Sequence, residues 1–502
     1  MNQYPAQDKH FNTDHLQTGL KGRSIRGSFI SVGSRGINIL LQLGTTAVLA
    51  RLIAPEGFGL VAMVLAGLYL LMNFRDAGLS VATVQRPEIN QDQVSALFWI
   101  NTAVGATLML FMIILAPAFV WLYDEPCLKN IVLAISAIFL FDGLAVQHRA
   151  LLMRQMRFSA MAAIRIISQA VSKIVAISMA LMGLGYWALV VMPIVVSVCR
   201  LFMTWPLSGW SPGMLKKTVG IRSMIAFGMN LTGRHLVSFF SDQLDNILIG
   251  RFCGAYSLGL YSRAYNLVSM PRRLINWPMA SVLIPSLSVL QDKPERYRRF
   301  FRRAIEKIVF FGHPIAALLI LAADEIIMTL LGDQWRQAIP IFRLLGIWGF
   351  ITASQSGAAL VLISLDQTRR LLKWTGIGSS VRCLFIVLGL HWGAIGVAVG
   401  ISVSDLALKL PELLYCYRKT PITLSDFWTA TWRSTAASLT ALGLGYLLLK
   451  TILSGISNCQ IRLLAICAAF GIFYFAIFAA LPRGLEELKD LLEKVVNLKS
   501  AE

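Results

Sequence analysis

Charge is the scarcest property of this 502-residue sequence, and acidic charge is scarcer than basic charge. Charged residues make up 14% of the chain and hydrophobic residues 56%, whereas about a quarter of an ordinary soluble protein is charged. This shortage excludes a disordered chain, a fibrous protein and a disulfide scaffold. The 46 basic residues outnumber the 26 acidic ones, which gives a net charge of +20. Because the basic residues are embedded in apolar sequence, they indicate a polytopic membrane protein and not a nucleic-acid binder.

Motifs for catalysis and nucleotide binding are missing as well. The sequence has no GxxxxGK[ST] phosphate loop and neither HExxH nor GxSxG, so we expect no nucleotide motor and no such hydrolytic centre. Its seven cysteines are scattered, without the paired spacing of a metal site. The first 26 residues lack the apolar stretch of a cleavable signal peptide, so we expect the first span to direct insertion. We expect no cofactor and no structural metal.

Long apolar runs are what the sequence does have. A helix needs about 20 apolar residues to cross a bilayer, and about fourteen runs meet this length. Three prolines, Pro271, Pro278 and Pro285, predict a bend in the eighth run. The predicted spans are 27–51, 58–75, 94–122, 129–148, 159–183, 185–206, 223–250, 255–285, 304–323, 338–364, 372–390, 393–416, 427–449 and 459–482.

The segments between these spans alternate in charge. Every second segment is basic, and the segments opposite carry the acidic residues Glu56, Asp124, Glu125, Asp324 and Asp333. Basic loops stay in the cytoplasm. The alternation therefore predicts an even number of spans, with both termini in the cytoplasm.

The chain divides into two similar halves and a remainder. A shift of 200 residues pairs Arg51 with Arg251 and Gly59 with Gly259, and the layout around them predicts a parallel internal repeat of the kind found in transporters. The predicted fold is an all-α polytopic membrane protein of about 14 transmembrane helices, with two pseudo-symmetric six-helix lobes plus two C-terminal helices. The predicted parts are a cytoplasmic segment (1–26), the first lobe (27–206), a cytoplasmic linker (207–222), the second lobe (223–416), the last two spans (417–482) and an amphipathic cytoplasmic tail (483–502).

Several strings, taken in order, resemble one family of transporters. They are VLARLIAPEGFGLVAM (48–63), FRDAGLSVATVQR (74–86), ALFWIN (96–101), QHRALLMRQMRF (147–158), LGLYSRAYNLVSMP (258–271) and LLGDQWRQAIPIFRLL (330–345). The ordered set resembles the Wzx-type polysaccharide transporter flippases of the multidrug/oligosaccharidyl-lipid/polysaccharide (MOP) superfamily, in the branch that includes the colanic acid exporter.

The resemblance implies a function and a location. It implies alternating access between the two lobes, with the first, second, seventh and eighth helices lining a central cavity. The implied cargo is an undecaprenyl-pyrophosphate-linked oligosaccharide, moved across the bacterial inner membrane for exopolysaccharide, capsule or O-antigen synthesis. The implied partners are membrane lipids, a polysaccharide polymerase and chain-length or export machinery, with no nucleic acid.

Arginines inside the predicted spans are the candidate cargo-binding residues. An ionisable side chain costs about 2.5–3.5 kcal/mol at the centre of a membrane helix and usually faces a cavity or a partner. Arginine can hold a phosphate through two hydrogen bonds. Pairing with a carboxylate, or reaching the membrane surface, is the alternative for each of them. The candidates are Arg35, Arg51, Arg234, Arg251, Arg263, Arg272 and Arg273.

The seventh span carries a polar stripe. Arg234, Ser238, Ser241, Asp242 and Asp245 follow one another at helical spacing, which is typical of a helix that lines an aqueous cavity. Structural pairing of the arginine with either aspartate is the alternative. If transport is coupled to Na⁺ or H⁺, Asp242 and Asp245 are the predicted coupling carboxylates.

The remaining intramembrane charges favour structural roles. We expect interhelical pairs among Asp142, Arg165, Lys173 and Arg200 of the first lobe, with the lining of a cavity wall as the alternative. Structural roles are likewise expected for Arg382, Asp405 and Lys409 of the second lobe.

Two amphipathic segments adjoin the spans. The basic segment 295–307 is interpreted as an interfacial helix on anionic lipid, or as a docking surface for the diphosphate. The segment 485–499 is expected to be a surface helix.

Two other functions stay open on the sequence alone. A small-solute or multidrug antiporter of the same superfamily would favour carboxylates over arginines for cationic drugs. A membrane-embedded polysaccharide polymerase or ligase would need a sizeable periplasmic loop, and no segment between the predicted spans exceeds about 30 residues.

Overall fold

The regular secondary structure of the described chain is helical throughout. The computed structural model describes residue 11 and residues 20–72, 74–75, 79–86, 89–214, 221–354 and 356–499. The chain forms two compact units, Met1–Gly259 (the N-unit) and Leu260–Glu502 (the C-unit). The predicted all-α fold class is confirmed, while the predicted lobe boundaries stay a prediction.

The N-unit contains seven complete helices and the beginning of an eighth. They are α1 (Leu20–Leu52), α2 (Pro55–Met72), α3 (Leu79–Gln85), α4 (Gln91–Tyr123), α5 (Leu128–Arg154), α6 (Phe158–Leu181), α7 (Trp187–Ser208) and α8 (Ile221–Val289).

The C-unit contains the end of α8 and nine further α-helices, with three short 3₁₀ turns between them. The helices are α9 (Pro294–Leu321), α10 (Ala323–Leu330), α11 (Ala338–Thr352), α12 (Ser356–Ser364), α13 (Thr368–Gly389), α14 (Gly393–Tyr417), α15 (Leu424–Thr451), α16 (Cys459–Ala480) and α17 (Gly484–Lys499).

The described residues of each predicted span lie mainly on helix, with the span 338–364 divided between α11 and α12, and the structure adds two short helices, α3 and α10, that hydropathy did not predict. Nine helical segments of the described chain are long and apolar enough to cross a membrane by length and composition. The surface segments 295–307 and 485–499 are helical as expected, and the first of them is the beginning of α9 itself.

Helix α8 contains both the seventh and the eighth predicted spans, and its interruption lies between them. The backbone departs from helical angles inside α8 at Gly254, where φ is +80°, a conformation that glycine adopts without the steric cost of a Cβ. The prolines at 271, 278 and 285 lie within continuous helix. A proline lacks a hydrogen-bond donor, but the resulting gap can be tolerated in a packed helix. The interruption therefore lies at Gly254, between the seventh and eighth predicted spans, and the bend expected at the three prolines stays a prediction.

Glycines bring helix backbones together in the N-unit. A Cβ on Gly105 of α4 would lie 2.5 Å from the carbonyl oxygen of Phe139 on α5, and one on Gly143 of α5 would lie 2.8 Å from the carbonyl oxygen of Asn101 on α4. Small residues permit such close approach, which is the main way in which helices associate inside a membrane. The α4–α5 pair fixes the position of the middle of α5.

A second close contact joins α2 to the part of α8 that follows Gly254. A Cβ on Gly59 would overlap the carbonyl group of Ala255, and a Cβ on Gly259 would overlap the carbonyl group of Pro55. These four residues are related in pairs by the 200-residue shift seen in the sequence. The contact is therefore reciprocal, because each glycine meets the residue that corresponds to the partner of the other glycine.

The C-unit is built around α9, α15 and α16. Phe310 of α9 packs against Tyr474 and Phe478 of α16, and the Tyr474 hydroxyl donates a hydrogen bond of 2.8 Å to the Phe310 carbonyl oxygen. Buried aromatic rings with one polar tip pack well where that tip finds an acceptor. This packing holds the membrane-length part of α9.

Candidate functional site

A buried carboxylate surrounded by arginines is the most unusual polar feature of the described N-unit. Asp142 lies in the middle of α5, and 2% of the residue is exposed. Arg75, which follows α2, forms a hydrogen-bonded ion pair with Asp142 Oδ2. Arg200 of α7 places its Nη1 3.6 Å from Asp142 Oδ1. One aspartate thus holds arginines from two other parts of the chain.

A third arginine completes this group, which we call the Asp142 cluster: Asp142, Arg75, Arg165 and Arg200. Arg165 of α6 donates a hydrogen bond of 3.4 Å to the Ser34 hydroxyl of α1, and it lies close enough to Arg200 for their charges to repel. Three arginines and one aspartate give 3 − 1 = +2 formal charges. The aspartate offsets only part of the repulsion, so the cluster carries excess positive charge within the helix bundle.

The arginines of the cluster are only partly covered. The side chains of Arg75 and Arg200 keep 21% and 25% of their surface exposed, against 1% for that of Asp142. Among the described residues, Arg75 Nε has no hydrogen-bond partner. An arginine that is held by one carboxylate and still has accessible N–H groups can donate to a second anion. The partly exposed side chains of Arg75 and Arg200 are therefore the parts of the cluster that an incoming anion can contact.

The expected pairing in the first lobe agrees in part with these contacts. Asp142 pairs with Arg200 as expected, whereas Lys173 bonds to Gln169 of its own helix, with Nζ 3.3 Å from Oε1. Sequence reasoning missed Arg75, which ended a predicted span and was assigned no role. Its partner lies 67 positions away, and no local pattern connects the two.

The predicted cargo-binding arginines do not form one described constellation. Arg35 and Arg234 lie on α1 and α8, but their side chains, like that of Asp242, are outside what the structure describes. Asp245 is 3% exposed, and its Oδ1 accepts a hydrogen bond of 2.8 Å from the Asn246 backbone. The roles assigned to these residues stay predictions.

Arg51 and Arg251 occupy corresponding places in the sequence and are both exposed within the N-unit. Arg51 lies in the last turn of α1, and Arg251 lies three residues before the interruption of α8. Both positions suit either a cavity rim or a membrane surface, so their roles stay open.

The three remaining candidates belong to the C-unit. Arg263 is partly buried in α8. Arg273 donates a hydrogen bond of 2.9 Å to the Ser269 hydroxyl one turn earlier. Arg272 packs its guanidinium over the ring of Trp348, 4.9 Å from the ring centroid. Cation–π packing of this kind gives Arg272 a structural partner.

Trp348 contacts charged and aromatic side chains from several helices. Its indole nitrogen donates a hydrogen bond of 2.7 Å to Asp405 Oδ2, Tyr265 stacks on its ring at 5.1 Å, and the Arg382 guanidinium lies 5.8 Å from the ring centroid. The structural role expected for Arg382 and Asp405 fits these contacts. Metal chemistry finds no support in the described residues, where no group of three His, Cys, Asp or Glu side chains could hold an ion.

Membrane-length helices with a cationic cluster among them are the features of a polytopic membrane protein, and known structures share this fold. The fold resembles a structure described as "Lipid II flippase MurJ, inward closed conformation", with a TM-score of 0.71, 15% identity, and coverage of 92% of this chain and 99% of that one. It also resembles an inward-facing multidrug resistance MATE family transporter of the MOP superfamily, with a TM-score of 0.60, 14% identity, and coverage of 76% and 94%.

The chain belongs to the family described as "Polysaccharide biosynthesis protein", whose profile matches residues 48–340. This membership confirms the resemblance found in the sequence. Among its relatives, the teichuronic acid biosynthesis protein TuaB of Bacillus subtilis is 25% identical over 60% of this chain and 62% of its own length. The lipopolysaccharide biosynthesis protein WzxC of Escherichia coli is 23% identical over 79% and 81%.

The name of a third relative includes the word transport. The succinoglycan biosynthesis transport protein ExoT of Rhizobium meliloti is 25% identical over 61% of this chain and 62% of its own length. The chain thus matches about three fifths of the length of TuaB and ExoT, and about four fifths of WzxC.

Proposed function

We propose that this protein is a flippase for an undecaprenyl-pyrophosphate-linked oligosaccharide, which it moves from the cytoplasmic to the periplasmic leaflet of a bacterial inner membrane by alternating access. Family membership and the likeness in fold to a lipid II flippase support the class of cargo. The observation that carries the proposal is the Asp142 cluster. Its +2 charge matches a diphosphate, and arginine is the side chain best suited to grip one.

The position of the cluster suits the start of such a cycle. Arg165 lies seven residues after the beginning of α6, and Arg200 lies eight residues before the end of α7. At 1.5 Å per residue, both lie about 10–12 Å inside the helix ends that the charge alternation assigns to the cytoplasm. A lipid-linked diphosphate that arrives from the cytoplasmic leaflet can reach this depth while its isoprenoid chain stays in lipid. Polymerase and chain-length proteins then act on the translocated unit.

Reconstitution tests the proposal. Purified protein in liposomes should move a fluorescent undecaprenyl-pyrophosphate oligosaccharide to the opposite leaflet, where an added glycosidase can reach it. Arg75→Gln and Arg200→Gln should each lower the rate about tenfold or more, since losing one charge-assisted contact to phosphate costs about 1.5–3 kcal/mol. Arg336→Gln, an exposed arginine after a 3₁₀ turn, is the matched control and should transport at the wild-type rate.

The outcomes separate the protein's activity from its site. Absence of transport by the wild-type protein, together with intact polysaccharide export after gene deletion in the host, would refute the flippase assignment. Altered drug tolerance in the same deletion strain would favour the multidrug antiporter. Wild-type rates in well-folded Arg75→Gln and Arg200→Gln variants would remove the Asp142 cluster from the binding site and leave the function standing.

A further inference from the structure

One buried ammonium group of the C-unit has no polar partner. Lys409 lies on α14, and its Nζ is inaccessible to solvent and has no hydrogen-bond partner among the described residues. It makes a cation–π contact with Phe427 of α15, whose ring centroid lies 5.4 Å from Nζ. A lysine at a structural position normally reaches water or a carboxylate. Lys409 does neither, and its cation–π contact with Phe427 replaces only part of the lost hydration.

The charged groups nearest to Lys409 lie on α14 itself and on α9, and the guanidinium of Arg272 on α8 acts on the same Asp405 carboxylate. Asp405 and Glu412 lie on its own helix, four residues before it and three after, and therefore on the same face of α14. His313 of α9 is close enough to feel its charge, and α15 presents the uncharged Phe427. No carboxylate of the described chain lies within 4 Å of Nζ in an ion pair. The carboxylates attract the ammonium through space without neutralising it.

Asp405 is already engaged elsewhere. Its Oδ2 accepts the 2.7 Å hydrogen bond from Trp348 of α11, and both residues are buried. A proton on Lys409 creates a cation that competes with Trp348 for this carboxylate, and removal of the proton ends the competition. The protonation state of one amine thus biases the contact between α11 and α14. A ligand shifts a conformational equilibrium only through such differential interaction.

Chemistry selects lysine for this role. A buried cation without hydrogen bonds is costly, and a lysine can relieve that cost by releasing its proton, whereas an arginine stays charged in proteins. We propose that Lys409 is the proton-carrying group of the transport cycle, which takes up a proton from one side of the membrane and releases it to the other. This inference rests on the proposed flippase function. It moves the expected ion coupling from the aspartates of α8 to a lysine of α14.

The test uses purified full-length protein in liposomes with the fluorescent lipid-linked oligosaccharide as the probe. A pH gradient of one unit should accelerate wild-type transport up to about tenfold, the ratio of proton activities, while a sodium gradient should not. Lys409→Arg keeps the charge but cannot release a proton. This variant should transport at a rate that is independent of the pH gradient. Lys450→Arg is the matched control, because Lys450 Nζ also lies 5.4 Å from an aromatic ring centroid, that of Tyr446, but the residue is exposed at the end of α15. This variant should keep the wild-type dependence on the pH gradient.

A second variant covers the case in which arginine does not fit. Lys409→Met removes the buried charge, so it should fold at least as stably as the wild type and should also lose the gradient dependence. Equal acceleration by the pH gradient in the wild type and in a folded Lys409 variant overturns the proposal, as does acceleration of the wild type by sodium alone. Either result leaves the flippase function intact. If the wild-type protein moves no lipid under any gradient, the proposed flippase function itself is refuted.

Discussion

At the scale of a residue, Asp142 shows how strongly the stability of a helix bundle can depend on one buried carboxylate. It is almost fully buried, and arginines from two separate segments depend on it for neutralisation. Removing one partner of a buried ion pair costs about 3–5 kcal/mol, because the remaining charge stays buried and unpaired. We therefore expect Asp142→Asn to lower the unfolding temperature of the detergent-purified protein markedly, as measured by heating followed by size exclusion.

The control for this prediction is Asp292→Asn, at an exposed turn between α8 and α9. It removes the same charge from water and should leave the unfolding temperature unchanged. Equal unfolding temperatures for Asp142→Asn and the wild type would show that the arginines find other partners.

Asp426 gives a residue-scale prediction about pH. It lies in the first turn of α15, outside the membrane, where its Oδ2 accepts hydrogen bonds from the Thr423 backbone at 2.9 Å and from Arg298 Nε at 3.1 Å. Burial alone would raise the pKa of Asp426, but the hydrogen bonds from Thr423 and Arg298 outweigh it and lower the pKa. The stabilisation is therefore complete above the ordinary carboxyl pKa of about 4 and is lost as pH falls through the lower, folded-state value.

Asp426→Asn should consequently destabilise the protein by about 1 kcal/mol at pH 7, the usual value of a helix cap. The difference from the wild type should shrink as the pH falls below about 4, which unfolding temperatures measured across that range would reveal. The exposed Asp333→Asn should show no comparable pH dependence. A difference that is constant with pH would mean that the amide replaces the carboxylate fully.

At the scale of an element, α9 joins a membrane surface to a membrane span. In its first half, Tyr297, Phe301 and Ile305 are buried in the C-unit core, while four basic residues on the opposite side are exposed. The exposed stripe consists of Arg296, Arg299, Arg303 and Lys307. Because the helix continues without interruption into apolar sequence, we expect this stripe to lie at the lipid headgroups, where anionic lipids attract each such cation by about 1 kcal/mol.

Phosphatidylglycerol should therefore raise the unfolding temperature of the detergent-purified protein, and the triple variant R296Q/R299Q/R303Q should lose most of that increase. A matched control removes three exposed cations from segments predicted to lie outside, namely K129Q/R336Q/K450Q, and should keep it. An undiminished lipid effect in the first variant would favour the diphosphate-docking interpretation of segment 295–307, which binding of soluble pyrophosphate would then test.

For the whole molecule, the charge excess makes a prediction about orientation. The alternation of basic and acidic segments assigns the α4–α5 connection at Asp124–Cys127 to the periplasm and the segment around Lys216 to the cytoplasm. Alkaline phosphatase fused within the first segment should be active, and a fusion within the second should be inactive, whereas green fluorescent protein should give the opposite pattern. Equal activity at both places would contradict the odd number of spans predicted between them.

Hydropathy and charge order predict the helices of this protein because a bilayer imposes one length and one sign rule on every span. Hydropathy divides α8 into the spans 223–250 and 255–285, and the interruption at Gly254 lies between them, but the positive φ of this glycine depends on packing that the sequence does not show. The Asp142 cluster could be predicted only in part. Asp142 and Arg200 stand out as charges in apolar runs, but the pairing with Arg75 depends on tertiary packing.

The reciprocal contact between α2 and α8 bears on the origin of the chain. Pro55 meets Gly259, and Ala255 meets Gly59, so two short backbone segments that correspond in the sequence contact each other at matching residues. This is the self-complementary interface of a two-fold homodimer, here with both partners on a single polypeptide. A half-length ancestor would have needed no new interface when its gene was duplicated and fused. The joint between its two copies would already have been a dimer contact.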